Sequence, residues 1–156
     1  MALIFQFKVG IAADIKPEEV YNKVKEAYYF LTELKQAGIV VFNDKHGQFS
    51  WENTYVFVLN CATQTLIAHP KSSDFEGSSF EHIQDKKGVH YLKEACLGAN
   101  SANGIWIEYW WEKQNQKKLS RRILYMISVP AINLQVAASI YNSVDSLENL
   151  KKIDHR

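Results

Sequence analysis

Residues 52–70, ENTYVFVLNCATQTLIAHP, constrain the fold more than any other part of the chain. Thr54–Asn60 is almost wholly apolar, as a strand buried on both faces must be. Ala62, Thr63 and Gln64 supply a polar turn, and the chain returns from Thr65 to His69 before Pro70 removes a backbone donor and ends the strand. Forty residues further on comes a second aromatic stretch, Ile105–Glu112, reading IWIEYWWE. Two such stretches predict a curved antiparallel sheet with large flat side chains along one face, a surface able to enclose a small ligand.

The remaining elements follow from periodicity. Lys16, Pro17, Glu18 and Glu19 mark a helix start, with proline early and acids in the first turn. Val20, Val24, Ala27, Tyr28, Leu31 and Leu34 then keep the 3.6-residue period of an amphipathic helix. Gly38 is expected to interrupt or cap it, and Ile39 to Phe42 to continue it after a kink. Asn43, Asp44, Lys45, His46 and Gly47 make a turn. Residues 71–104 read as loop and short helix with hydrophobes of their own (Phe75, Phe80, Ile83, Val89, Tyr91, Leu92), the pattern of a lid or binding loop. Three strands follow at 105–112, at 122–129 before Pro130, and at 134–141. The expected fold is α+β: a long N-terminal helix packed on a mainly antiparallel sheet of about five strands. Residues 16–142 form the domain, 1–15 an arm or the remnant of an export segment, and 143–156 a polar tail.

Composition removes several functional classes. Eighteen basic and seventeen acidic residues leave a net charge of +1, with no electrostatic reason to expect nucleic acid as a partner. The one dense basic cluster, Lys117, Lys118, Arg121 and Arg122, reads first as a solvated loop. No apolar run is long enough to span a bilayer, so no stable membrane anchor is expected in this chain. Cys61 and Cys96 fit either a disulfide or two small buried hydrophobes, which leaves the compartment open.

Alternation assigns faces. Ile105, Ile107, Tyr109 and Trp111 share one side of their strand, and Trp106, Glu108 and Trp110 the other. Ile123, Tyr125 and Ile127 oppose Arg122, Leu124 and Met126, while Tyr55, Phe57 and Leu59 share a side. One face must pack on the long helix, and the other must be covered by the 71–104 loop or by ligand. Tyrosine hydroxyls, His69 and Arg122 need partners on a covered face, and the arginine fork suits a carboxylate. Each has a plainer reading: His69 as a hairpin end, Tyr109 and Trp111 as core, Arg122 as a loop charge, Glu108 as an edge-strand charge that discourages aggregation. No GxSxG, HExxH, phosphate loop or paired-cysteine motif is present, and the histidines lack ligand spacing. No cofactor, metal or catalytic residue is therefore expected. A His69–Asp85 acid/base pair and a metal site at His69, His82 and His90 are the weakest readings.

From Val20 to Asn142 the chain resembles the single Cache domain, the extracytoplasmic PAS-like sensor module of bacterial chemoreceptors and histidine kinases. The resemblance rests on the order of a long helix, Tyr55-Val56-Phe57-Val58, Leu66-Ile67-Ala68-His69-Pro70, a loop with Gly77 and Asp85-Lys86-Lys87-Gly88, the aromatic strand from Gly104 to Trp111, Arg122-Ile123-Leu124-Tyr125, and Ala138-Ser139-Ile140-Tyr141. It implies a non-catalytic sensor whose pocket, formed by Tyr55, Phe57, His69, Tyr109, Trp111, Arg122 and Tyr125, takes a small organic acid, an amino-acid-like molecule or another small metabolite. The chain departs from the family pattern at Ser120-Arg121-Arg122, where Pro-Lys is usual, and at Ser139, where glycine is usual. The transmembrane helices and signalling domain usual in the family are not seen, which leads to the expectation of a free-standing domain, periplasmic or secreted, with a cytoplasmic home as the alternative. A homodimer through the N-terminal helix, or a ligand-less interaction module of the same fold, stands as the rival reading.

Overall fold

The computed structural model describes residues 14–71, 77–113 and 116–153; most of the expected N-terminal arm, Phe75 and His155 lie outside them. Helix α1 (Pro17–Leu34) begins where the Lys16 N–H donates to the Glu19 carboxylate at 2.7 Å. Glu18 and Glu19 complement the positive end of its dipole. Val20, Val24, Ala27 and Leu31 are fully buried on one stripe. The helix ends before Gly38, because Lys35 turns to a left-handed φ of 52° and its N–H bonds the Leu31 carbonyl. Residues Lys35–Asn43 continue as a 3-10 helix, not as a kinked α-helix. Gly38 serves there as a contact point: a Cβ would lie 3.0 Å from the Phe30 ring.

Six strands form one antiparallel sheet: β1 (Ser50–Trp51), β2 (Thr54–Asn60), β3 (Thr65–Ala68), β4 (Ile105–Glu112), β5 (Leu119–Val129) and β6 (Leu134–Tyr141). The order is β1-β2-β6-β5-β4, with β3 also paired to β2. The first and last long strands thus meet in the middle, the α+β arrangement expected. The two-residue β1 was not expected, because nothing in Ser50-Trp51 alternates over a strand's length. β5 begins three residues earlier than expected, which places Arg122 inside the sheet, opposite Tyr109 on one side and Tyr141 on the other. Arg122 is therefore not a loop charge.

The sheet has two covered faces. Val56, Val58, Trp106, Ile123, Tyr125, Ile127, Val136, Ala138 and Ile140 pack with the buried stripe of α1. Phe57, Leu59, Ile107, Tyr109, Leu124, Met126 and Ala137 pack under helix α2 (Tyr91–Gly98) and its preceding loop. At Gly104 the backbone holds φ +64° and a Cβ would stand 2.4 Å from the Met126 carbonyl oxygen, so only glycine admits β4 to its place beside β5. The polar tail carries a short helix, α3 (Leu147–Leu150), capped by Ser146, and Leu150 and Ile153 are buried in the α1-side cluster.

Candidate ligand-binding site

The face under α2 gathers six of the seven residues singled out by sequence. Tyr55 and Phe57 come from β2, His69 from just past β3, Tyr109 and Trp111 from β4, and Arg122 from β5. The Tyr55 ring lies 4.8 Å from the His69 ring, and Phe57 lies 5.9 Å from it. Tyr125 is the exception. It is fully buried on the α1 face against Trp106 and Tyr21, and its hydroxyl donates to the Asn103 carbonyl at 2.8 Å. Three positions separate it from Arg122, an odd number, so pleating must turn the two side chains to opposite faces.

Arg122 is the centre of the polar group. One terminal nitrogen donates to the Ser139 hydroxyl at 2.7 Å and to the Ser139 carbonyl at 3.2 Å. The guanidinium carbon stands 4.6 Å from the Tyr141 ring centre and 5.6 Å from that of Tyr109, within cation–π range. Its Nε is buried and has no acceptor among the described residues. No acidic side chain of those residues forms an ion pair with it; Glu108 pairs with the neighbouring Arg121 on the other face. Among the described residues this half-buried cation therefore has no acidic counter-charge.

Neutral hydroxyls surround that cation. Burial pushes the Tyr55, Tyr91 and Tyr109 phenols up, and the opposing pull of Arg122 does not cancel it. Tyr109 donates to Ser139 Oγ at 2.9 Å, and Tyr91 stacks flat on it with ring centres 4.1 Å apart. Trp111 meets Tyr91 edge-on at 6.5 Å. Sequence reading missed Tyr91, Ser139 and Tyr141 as site members. The parity rule would have found Ser139 and Tyr141 once the β5–β6 register was known; Tyr91 lies on a short helix whose docking no local pattern reveals.

His69 is not a second cation. Burial, followed by the nearby Lys71 charge, lowers its pKa to about 4. The Lys71 N–H donates to His69 Nδ1 at 3.3 Å, which assigns the ring proton to Nε2 as a hydrogen-bond donor. The unfolded chain takes up a proton near the ordinary histidine pKa of about 6.5, whereas the folded chain resists until about 4. Stability is therefore expected to fall as pH drops through that window. His69→Phe should flatten this part of a urea-midpoint-versus-pH curve and leave the steeper carboxylate-driven loss below it unchanged.

The cover is tied down on several sides. The Gly77 and Phe80 N–H groups donate to carbonyls of Leu66 and Gln64, extending the β3 edge. Asp85 is buried, and its carboxylate accepts from Lys87 N–H at 2.8 Å, Val89 N–H at 2.9 Å and Trp110 N–H at 2.9 Å. Burial pushes this carboxyl up, but the three amides and the Lys87 charge outweigh it, and its pKa lies below the ordinary value. Lys86 N–H bonds the Trp110 carbonyl, so the loop consumes both backbone groups of an edge-strand residue. A disulfide, Cys61–Cys96, joins the end of β2 to α2. This part of the 71–104 loop is a pinned roof, not a free lid. With both oxygens committed to amides, Asp85 is no acid/base partner for His69. No group of three metal-ligating side chains comes together among the described residues. A groove of about 530 Å³, walled by Lys45, Trp51, Tyr55 and Lys71, shares only Tyr55 with this group of site residues.

The sequence model of the Cache domain matches residues 18–152. No curated protein matches the sequence. Three solved structures share the fold. One reports carboxylic acid recognition by a Cache chemosensory domain, with TM-score 0.58, 17% identity, and coverage of 82% of this chain and 88% of that one. A methyl-accepting chemotaxis protein from Vibrio parahaemolyticus has TM-score 0.56, 16% identity and coverage of 79% and 81%. The periplasmic sensor domain of a chemotaxis protein has TM-score 0.56, 15% identity and coverage of 83% and 90%.

Proposed function

The chain belongs to the Cache domain family, and from that premise we propose that it is a sensor domain that captures a small carboxylate against Arg122 and performs no chemistry. The carrying observation is the half-buried guanidinium without an acidic partner among the described residues, ringed by neutral tyrosine hydroxyls. An uncompensated cation in such a place is costly, and an anionic ligand supplies the missing charge with charge-assisted hydrogen bonds. Tyr55 and Tyr91 would add neutral hydroxyl donors. Phe57 and Trp111 would exclude water and strengthen those contacts. Identity of 17% carries the fold alone from the carboxylate-recognising domain, so the ligand class rests on Arg122. Amino acids stay within the proposal, since they present the same carboxylate.

The Cys61–Cys96 disulfide is in keeping with an oxidising compartment, periplasmic or extracellular, and Cache domains are extracytoplasmic. No helix of the described residues is long and apolar enough to cross a membrane. Sensing of this kind serves signal transduction such as chemotaxis, with a partner reading the bound state.

The flat Tyr91–Tyr109 stack favours a second reading, in which the chain's own rings occupy the face and the exposed Tyr29 and Leu34 of α1 serve a homodimer. A thermal-shift screen separates the two. Acetate, propionate, pyruvate, lactate, succinate and the common L-amino acids would be tested against the matching primary amides. Stabilisation by a carboxylate and not by its amide is expected. A flat response across the whole panel would leave the interaction-module reading standing.

A further inference from the structure

We propose that Ser139 is a positioning residue that sets the direction in which Arg122 and Tyr109 present themselves to a ligand. The inference rests on the carboxylate reading of the site. Ser139 lies on β6 opposite Leu124 of β5, two positions along from Arg122, with its side chain on the covered face. It is almost fully buried, at 7% exposure. Its hydroxyl oxygen accepts from Tyr109 at 2.9 Å and from Arg122 at 2.7 Å, which fills both lone-pair sites. Its carbonyl accepts from Thr54 Oγ1 at 2.7 Å and again from Arg122 at 3.2 Å. One residue therefore receives side chains from three strands, β2, β4 and β5, on its hydroxyl and its carbonyl.

The consequence for recognition is directional. Arginine has five N–H donors in a rigid plane. Fixing one terminal nitrogen against both oxygens of Ser139 fixes the plane, and with it the aim of the remaining donors, including the buried Nε–H that has no acceptor among the described residues. Tyr109, spent on Ser139, holds the ring on which Tyr91 stacks and over which the guanidinium lies. Without the hydroxyl the guanidinium plane can rotate about its last bonds, and its match to a planar carboxylate becomes one orientation among several.

Ser139→Ala removes the hydroxyl and keeps the carbonyl. Affinity for the panel carboxylate that most stabilises the wild type is expected to fall about tenfold, the cost of losing one well-placed charged hydrogen bond. Ser139→Thr restores the oxygen and should recover most of that affinity, which a general packing defect would not allow. Ser139→Cys puts a weaker acceptor in the same shape and should fall between; it decides the matter if the alanine variant does not fold. A double-mutant cycle with Arg122→Lys, read by calorimetric titration with that carboxylate, should be strongly non-additive. Wild-type affinity in Ser139→Ala, or in Ser139→Cys where the alanine variant does not fold, would overturn the assignment while leaving the carboxylate reading intact. A wild type that no panel carboxylate stabilises would bring down both.

Discussion

Arg122→Ala is expected to abolish carboxylate-dependent stabilisation while leaving the domain folded. Truncating one member of a desolvated charge pair typically costs about 2–5 kcal/mol of binding, so the affinity loss should be roughly 30-fold to several-thousand-fold. The folded state should barely notice. Arg122 makes two hydrogen bonds to Ser139 and lies over two rings, but it has no ion pair among the described residues. Removing a half-buried charge with no counter-charge among the described residues relieves a desolvation cost of comparable size, and the net change should stay within about 1 kcal/mol. Arg122→Lys keeps the charge and loses the planar fork, so it should bind with affinity between the wild type and the alanine variant. Calorimetric titration and urea denaturation on the same preparations check both halves. An alanine variant that binds the carboxylate like the wild type would remove the guanidinium from the site.

Much of this site was legible before the structure, and the reasons divide cleanly. Period-two alternation placed Tyr109, Trp111 and Arg122 on defined faces, because pleating is a local property. It also set Tyr125 against Arg122, and the structure follows that parity. The inclusion of Tyr125 in the pocket came from family resemblance, which transfers residue type along the chain without regard to the face it occupies. Sequence could not reveal the partnership of Ser139 with Arg122, since the register of β6 against β5 joins residues 17 apart. The flat stack of Tyr91 depends on how a short helix docks. Asp85 read as a candidate acid, yet its meaning lies in a bond to Trp110, 25 residues on. Local pattern determines faces; long-range pairing determines who meets whom on them. The cysteines show the same limit, because pairing across 35 residues depends on where α2 lands.

The second large effect concerns that disulfide. Cys61→Ser/Cys96→Ser, or reduction by dithiothreitol, is expected to lower unfolding stability by about 4 kcal/mol, the loop-closure entropy of a bridge spanning 35 residues. The loss should be local before it is global. Helix α2 has eight residues, too few to be stable alone. After reduction it keeps Leu92 and Ala95 in the core, Gly98 against Ile105, and the Ala99 carbonyl on the Ser128 N–H. Packing with Phe57 and Leu59 of β2 also survives, but the covalent tie to β2 is gone. Amide exchange is therefore expected to rise across α2 while the paired amides of β5 and β6 stay protected. Because α2 carries Tyr91 onto Tyr109, carboxylate affinity should weaken in the same variants, through the roof and not through Arg122. Unchanged urea midpoints on reduction would show that packing alone fixes α2; a uniform rise in exchange over the whole sheet would show that roof and sheet open as one unit.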